Sequence, residues 1–282
     1  MPGSRSLMSQ RKTLLPGFGL SLGITVFTLS LLVLIPLSAL VTRSAELSLG
    51  GMWDALADRR VLAAFRVSFS TAFAAAFANL FLGLIVAWVL VRYPLPLKRG
   101  FDALIDLPFA LPTAVAGIVL TTLYAPNGWL GQFFTDWGIR VAFTPLGIIV
   151  ALIFIGLPFV VRTVEPVLQE LDRQQEEAST SLGASRWQTF YRVLLPPLVP
   201  AILTGFSLAF ARGLGEYGSV IFIAGNMPMK SEIVPLLIVT KLEQYDYAGA
   251  PGIALASLVV AFIMLLVVNG LQHWTRKRTG RD

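Results

Sequence analysis

The sequence predicts an all-α, polytopic membrane protein with six transmembrane helices, and three observations carry that expectation. Charged residues make up 13% of the 282-residue chain, about half of the roughly 25% found in soluble domains. Apolar residues make up 55% and the mean hydropathy is +0.73. Such a chain has too few charges to cover a folded surface in water, and it is too apolar to be disordered. The charges are also not scattered. They bracket six uncharged runs, each close to or beyond the roughly 20 apolar residues that carry a helix across the hydrocarbon core.

The first run, between Lys12 and Arg43, has 30 residues, with a span expected at 17–41. Its basic start (Arg5, Arg11, Lys12) fits a signal peptide, but the apolar stretch is too long and no small-residue cleavage site follows. It reads as a retained helix. Gly19 and Gly23 form a GxxxG spacing that lets helices approach closely, though chance gives that spacing readily in a Gly-containing apolar run. The second run, between Arg66 and Arg92, has 25 residues and a span at 67–91. The third, from Asp106 to Asp136, encloses 29, with a span at 107–124. Pro108 and Pro112 each remove a backbone donor there and bend the helix. The freed carbonyls must face protein or a water-filled cavity, so the segment is either a pathway lining or a kinked packing helix.

The fourth run, Arg140 to Arg162, has 21 residues and a span at 146–161; the fifth, Arg192 to Arg212, has 19 and a span at 194–211. The sixth, Asp246 to Arg276, has 29 and a span at 253–271. A seventh run, between Glu216 and Lys230, has only 13 residues and reads as a re-entrant or interfacial element. Residues 1–282 are expected to form a single transmembrane domain with its longest polar loop at 162–193. With the N-terminus inside, the segments on the inner side carry 14 Lys and Arg and the outer ones 8, which favours N-in and C-in. The net charge of +6 is then largely a membrane-orientation signature and calls for no nucleic-acid partner.

Absences narrow the chemistry. There is no cysteine and one histidine, His273, so a zinc or haem site is not expected, and neither is any other cofactor. No Gly-Lys dipeptide occurs, hence no Walker A phosphate loop, and the chain is not expected to be an enzyme by itself. None of the six runs holds a carboxylate. The proton relay of a secondary carrier is missing, with Glu216 the one candidate near membrane depth.

The loop at 162–193 has its own punctuation. Asp172 is placed to cap a helix with Gln175 three residues on. Gly183 suits a left-handed stop, and Ser185 with Gln188 makes an S-x-x-Q capping box. This predicts a helix from about Arg173 to Leu182, a rod of roughly 15 Å, then a turn and a second helix running into Pro196. Glu177-Ala178-Ser179, Gly183 and Val193-Leu194-Leu195-Pro196 resemble the EAA motif of ABC-importer permeases, with Ser179 in place of the second Ala and Val193 in place of the usual Ile. Two further blocks, Asp106 to Gly117 and Arg212 to Asn226, together with Leu15-Pro16-Gly17-Phe18, resemble the T-type permease subunits of bacterial sulfate/thiosulfate importers over about Leu14 to Thr275.

The resemblance implies a type I ABC-importer fold in the bacterial inner membrane. It implies a second, W-type permease, two copies of a cytoplasmic ATPase subunit and a periplasmic sulfate/thiosulfate-binding protein as partners. Glu177, Ala178, Ser179, Gly183 and Pro196 are then the ATPase-coupling residues. Pro108, Pro112, Thr113, Arg212, Gly215 and Glu216 are candidates for the path or gate. Arg212 and Glu216 are four apart and pair with each other if that segment is helical; the functional alternative is that Arg212 lends positive potential to a passing anion. A dianion entering against 100 mV costs roughly 4.6 kcal/mol, so uptake needs a separate energy source. The rivals are a molybdate or tungstate permease of the same superfamily and a stand-alone anion channel or secondary carrier.

Overall fold

The computed structural model describes residues 17–46 and 48–278. Leu14 to Pro16, the basic residues Arg5, Arg11, Lys12 and Arg281, and the side chain of His273 lie outside that description. Among the described residues the secondary structure is entirely helical: α1 (Phe18–Ser44), α2 (Leu49–Ala57), α3 (Arg59–Arg92), α4 (Lys98–Ala110), α5 (Thr113–Tyr124), α6 (Trp129–Asp136), α7 (Pro145–Glu170), α8 (Arg173–Ser181), α9 (Arg186–Thr189), α10 (Leu195–Leu214), α11 (Val220–Ile223), α12 (Val234–Glu243) and α13 (Gly249–Arg278). A π-helical turn, Phe190–Leu194, joins α9 to α10. Five helical stretches are long and apolar enough to cross a membrane: α1, α3, α7, the α9–α10 unit and α13.

The third expected span, 107–124, differs from the rest. It is divided between α4 and α5, which meet at 110°. Proline disfavours helical backbone in the residue before it, and Leu111 and Pro112 both adopt extended backbone (ψ 134° and 131°). Pro108, by contrast, is accommodated inside α4. Counting α4–α5 as one broken span gives six.

The charges that bound the apolar runs do not bound the helices. α3 starts at Arg59, where the Asp58 carboxylate accepts from the Arg60 N–H at 2.7 Å, a residue type and position that stop and start helices. α7 continues past Arg162 to Glu170 because Arg162 is neutralised on the helix surface by carboxylates. At the other junction, Pro196 and Pro197 offer no N–H to the preceding turn. The helix widens there, with the Leu195 N–H reaching back five residues to the Phe190 carbonyl.

α3, α7 and α10 form the central core. The buried face of α3 is a stripe of small residues, including Ala64, Ser68, Ala72, Ala75, Ala76, Gly83 and Ala87. Between apolar helices in lipid, close contact of this kind drives association. Val160 of α7 shows how close: a Cβ on either Gly83 or Gly205 would overlap it. α12 caps one end of the core, its Val234 N–H bound to the Ser68 hydroxyl at 2.8 Å. The adjoining Glu232 is buried and pairs with Arg60 through two hydrogen bonds of 2.6 and 2.7 Å. α1 packs beside α13 and exposes nearly its whole surface, Ser44 alone being buried.

Candidate coupling hairpin and broken-helix contact

The polar segment after α7 folds into a helical hairpin built from local bonds. Asp172 caps α8 by accepting from the Gln174 N–H at 2.9 Å, rather than through Gln175. At the far end the Ala184 N–H reaches the Ser179 carbonyl (3.0 Å) and the Gly183 N–H the Thr180 carbonyl (2.9 Å). This is the paired closure of a Schellman motif, and Gly183 takes the left-handed conformation it needs, φ 85°. Ser185 and Gln188 then form a full capping box. Ser179, where the family motif has a second alanine, lies 2.8 Å from the Thr189 hydroxyl, so the departure from the motif ties α8 to α9. Glu176 holds the hairpin to the end of α3 through Arg92 at 2.6 Å.

The outward surface of the hairpin is formed by Glu177, Ala178 and Gly183, all exposed. Leu182, 89% exposed, and Trp187, 71% exposed, stand beside them. An apolar side chain this open in a polar loop is suited to a protein partner. These two residues were not singled out by the motif, although an isolated Leu and Trp in a loop of charges is a signal readable from composition. Pro196 is partly buried where α10 begins.

The second site joins the two other sequence blocks, which are about a hundred residues apart. A Cβ on Gly117 of α5 would run into the backbone of Ser219, and one on Gly218 would run into the Thr113 side chain. The start of α5 and the turn after α10 therefore touch backbone to backbone. The buried Glu216 organises that turn. One carboxylate oxygen accepts from the Ser219 N–H (2.8 Å) and hydroxyl (3.0 Å), and the other pairs with Arg212 at 2.5 Å. Arg212 keeps about a third of its side-chain surface open. Pro112 is the N-cap of α5, one residue before Thr113. Gly215 ends α10 in open space with ordinary φ, so its lack of a side chain is not demanded by any neighbour. Pro108 lies instead in the wall of an apolar groove with Phe101, Ile105 and Leu157.

A third cluster, which the sequence motifs do not mark, centres on Arg162. Arg162 binds Asp106 through two hydrogen bonds (2.8 and 2.9 Å), Glu165 at 2.7 Å and the Asp102 carbonyl at 3.3 Å. Asp106 opens the third apolar run and Arg162 closes the fourth. Opposite charges at the ends of successive spans are the available sequence signal.

Comparison with known proteins fits this geometry. The chain is 51% identical over 254 residues to the sulfate transport system permease protein CysT of Synechocystis sp., covering 90% of this chain and 89% of that one. It is 47% identical over 261 residues to the protein of the same name from Escherichia coli K12, covering 93% and 94%. Among solved structures, a bacterial alginate ABC transporter aligns with a TM-score of 0.74 at 15% identity over 90% of this chain and 94% of that chain. An inward-facing MetNI methionine ABC transporter aligns with a TM-score of 0.56 at 16% identity over 81% and 99%. The fold is that of type I ABC-importer permeases. Residues 79–281 match the family described as the binding-protein-dependent transport system inner membrane component, and the chain, a multi-pass inner-membrane protein, belongs to that family.

Proposed function

We propose that this chain is the T-type permease subunit of an ATP-driven importer of sulfate and thiosulfate. The observation that carries the substrate class is the likeness, over about nine tenths of both chains, to proteins named as sulfate transport permeases. That likeness favours sulfate over molybdate or tungstate. Membership of a binding-protein-dependent system disfavours the stand-alone channel and the secondary carrier. The working complex pairs this chain with a W-type permease, two cytoplasmic ATPase subunits and a periplasmic binding protein, and the chain needs no cofactor of its own.

The α8–α9 hairpin is the part gripped by the ATPase, with Glu177, Ala178, Ser179, Gly183 and Pro196 shaping it. Its pairing with Arg92, and the neighbouring Arg162 cluster, put the hairpin at the same end as Arg99. The basic-residue count makes that end cytoplasmic, giving N-in and C-in. ATP binding then draws the hairpins together and turns the pathway outward. Thr113, Gly117, Gly218 and Ser219 sit where two broken segments meet, the kind of irregular backbone tolerated at membrane depth only beside protein or a cavity. Arg212 contributes positive potential there, with Glu216 as its resting partner.

The complex reconstituted in proteoliposomes tests this reading. Sulfate-loaded binding protein should stimulate ATP hydrolysis and uptake, and molybdate-loaded binding protein should not. Equal or greater stimulation by molybdate would reassign the substrate.

A further inference from the structure

α4 is attached to the rest of the protein in an unusual way. It has no buried residue. It stands off α3 above an apolar groove of about 410 Å³ lined by Ile85, Val89, Leu104, Ile105, Pro108 and Leu157. What holds it is α7, through the two Asp106 hydrogen bonds to Arg162, the longer Asp102 pairing at 3.5 Å, and an edge-on contact of Phe109 with Phe159 at 5.2 Å. Arg162 in turn lies eight residues before Glu170, about 12 Å along the helix from the corner where α8 begins. At the other end of α4 the backbone bonds stop with the Leu111 N–H on the Leu107 carbonyl and resume with the Ala116 N–H on the Pro112 carbonyl. The joint between α4 and α5 is therefore free of helical hydrogen bonds.

We propose that Arg162 is a positioning residue for transport: it fastens α4 to the cytoplasmic end of α7, so that α4 follows the hairpin as a lever pivoting at Leu111–Pro112 and moves the Thr113–Gly117 contact against Gly218–Ser219. This rests on the permease reading above. The planar guanidinium suits the task because its fork holds a carboxylate in one orientation, which an ammonium does not. The groove beneath α4 means that the helix is displaced without dismantling packed core. The helix pair α4–α5 thus links the region that meets the ATPase, by way of the last two turns of α7, to the region proposed to gate the anion, by way of the Leu111–Pro112 joint.

The experiment uses the full complex in proteoliposomes, reading assembled complex, ATP hydrolysis and sulfate uptake together. Arg162→Gln should assemble and hydrolyse ATP while uptake per ATP falls about tenfold, and Arg162→Lys should fall between it and the parent. A merely structural role would lower the assembled amount and leave the ratio unchanged; that outcome overturns the proposal. A second variant keeps Arg162 in place. Phe109→Cys with Phe159→Cys, in a chain with no native cysteine, is bridged by a short bifunctional thiol reagent. If α4 and α7 travel together, bridging should leave uptake within about twofold of the unbridged variant, whereas arrest on bridging would refute the lever. Absence of ATP-driven uptake in the parent complex would be a different result, overturning the permease reading and the lever with it.

Discussion

The coupling hairpin and the broken-helix contact are both turns that depend on glycine, yet they are made in opposite ways. Every bond within the hairpin spans ten residues or fewer, from the Asp172 cap to the Ser179–Thr189 pair, and Arg92 only anchors it to α3. A Cβ on its key glycine would meet nothing within 4 Å, so glycine is needed there for its φ of 85° alone. Gly117 and Gly218 have ordinary φ values and are needed because another backbone occupies the space a side chain would take. The first is a preformed rod presented outward, suited to rigid docking. The second is a contact between distant segments, and it changes whenever α5 moves relative to α10. Separate loss of coupling and of passage is the expected consequence.

The largest effect is expected at the hairpin. Gly183→Val places a β-branched residue in left-handed backbone, at about 1–2 kcal/mol or more, and turns Leu182 and Ala184 away from their positions. Co-purification of the ATPase subunit should be lost while the membrane helices stay folded. Retained co-purification with normal uptake would show that the turn is not what the partner grips.

Next in size is the ion pair behind the contact. Removing Arg212 leaves the buried Glu216 charge uncompensated, a loss of about 3–5 kcal/mol for a fully buried pair and less here because Arg212 is a third open. Arg212→Gln should therefore cut uptake per assembled complex more than Arg212→Gln with Glu216→Gln does. If instead only the assembled amount drops, with the per-complex rate unaltered, the pair is structural and has no part in the anion path.

Much of this division was legible in the sequence, and the reason is range. The hairpin was readable because its determinants (Asp172, Gly183, Ser185 with Gln188) sit within a few residues of the bonds they make. The contact was readable only as two unconnected blocks, since nothing local says that Gly117 meets Ser219. Charged residues located the apolar runs but misplaced helix ends, because Arg162 finds Asp106 and Glu165 and the helix continues through it. Pro112 bends its span, as a proline in an apolar run predicts. Pro108 looks the same in sequence, but it sits within a continuous helix, so the 110° bend arises at one proline and not at both. α12, with Glu232 before it and Lys241 in its last turn, was hidden by those charges.

Orientation offers an intermediate test of the same comparison, since the two regions should lie at different depths. Single cysteines at positions 99 and 278 should resist an impermeant thiol reagent in intact cells, and those at 54 and 136 should react. Labelling at 99 would place the hairpin end outside and invert the scheme. The smallest effect is expected at Ser179. Ser179→Ala restores the family's usual residue and removes one hydrogen bond to Thr189, worth about 1 kcal/mol. It should lower the melting temperature of the hairpin region slightly and leave uptake within about twofold.

The central claim, that coupling and passage reside in separate structures, is tested most directly at Gly117. Its replacement by Val drives a side chain into the Ser219 backbone, while the hairpin is untouched. In one proteoliposome preparation, co-purified ATPase, hydrolysis stimulated by sulfate-loaded binding protein, and sulfate uptake are measured side by side. The account predicts that Gly117→Val keeps the ATPase subunit and its hydrolysis but loses most uptake. Loss of the ATPase subunit, or uptake equal to the parent's, would contradict it.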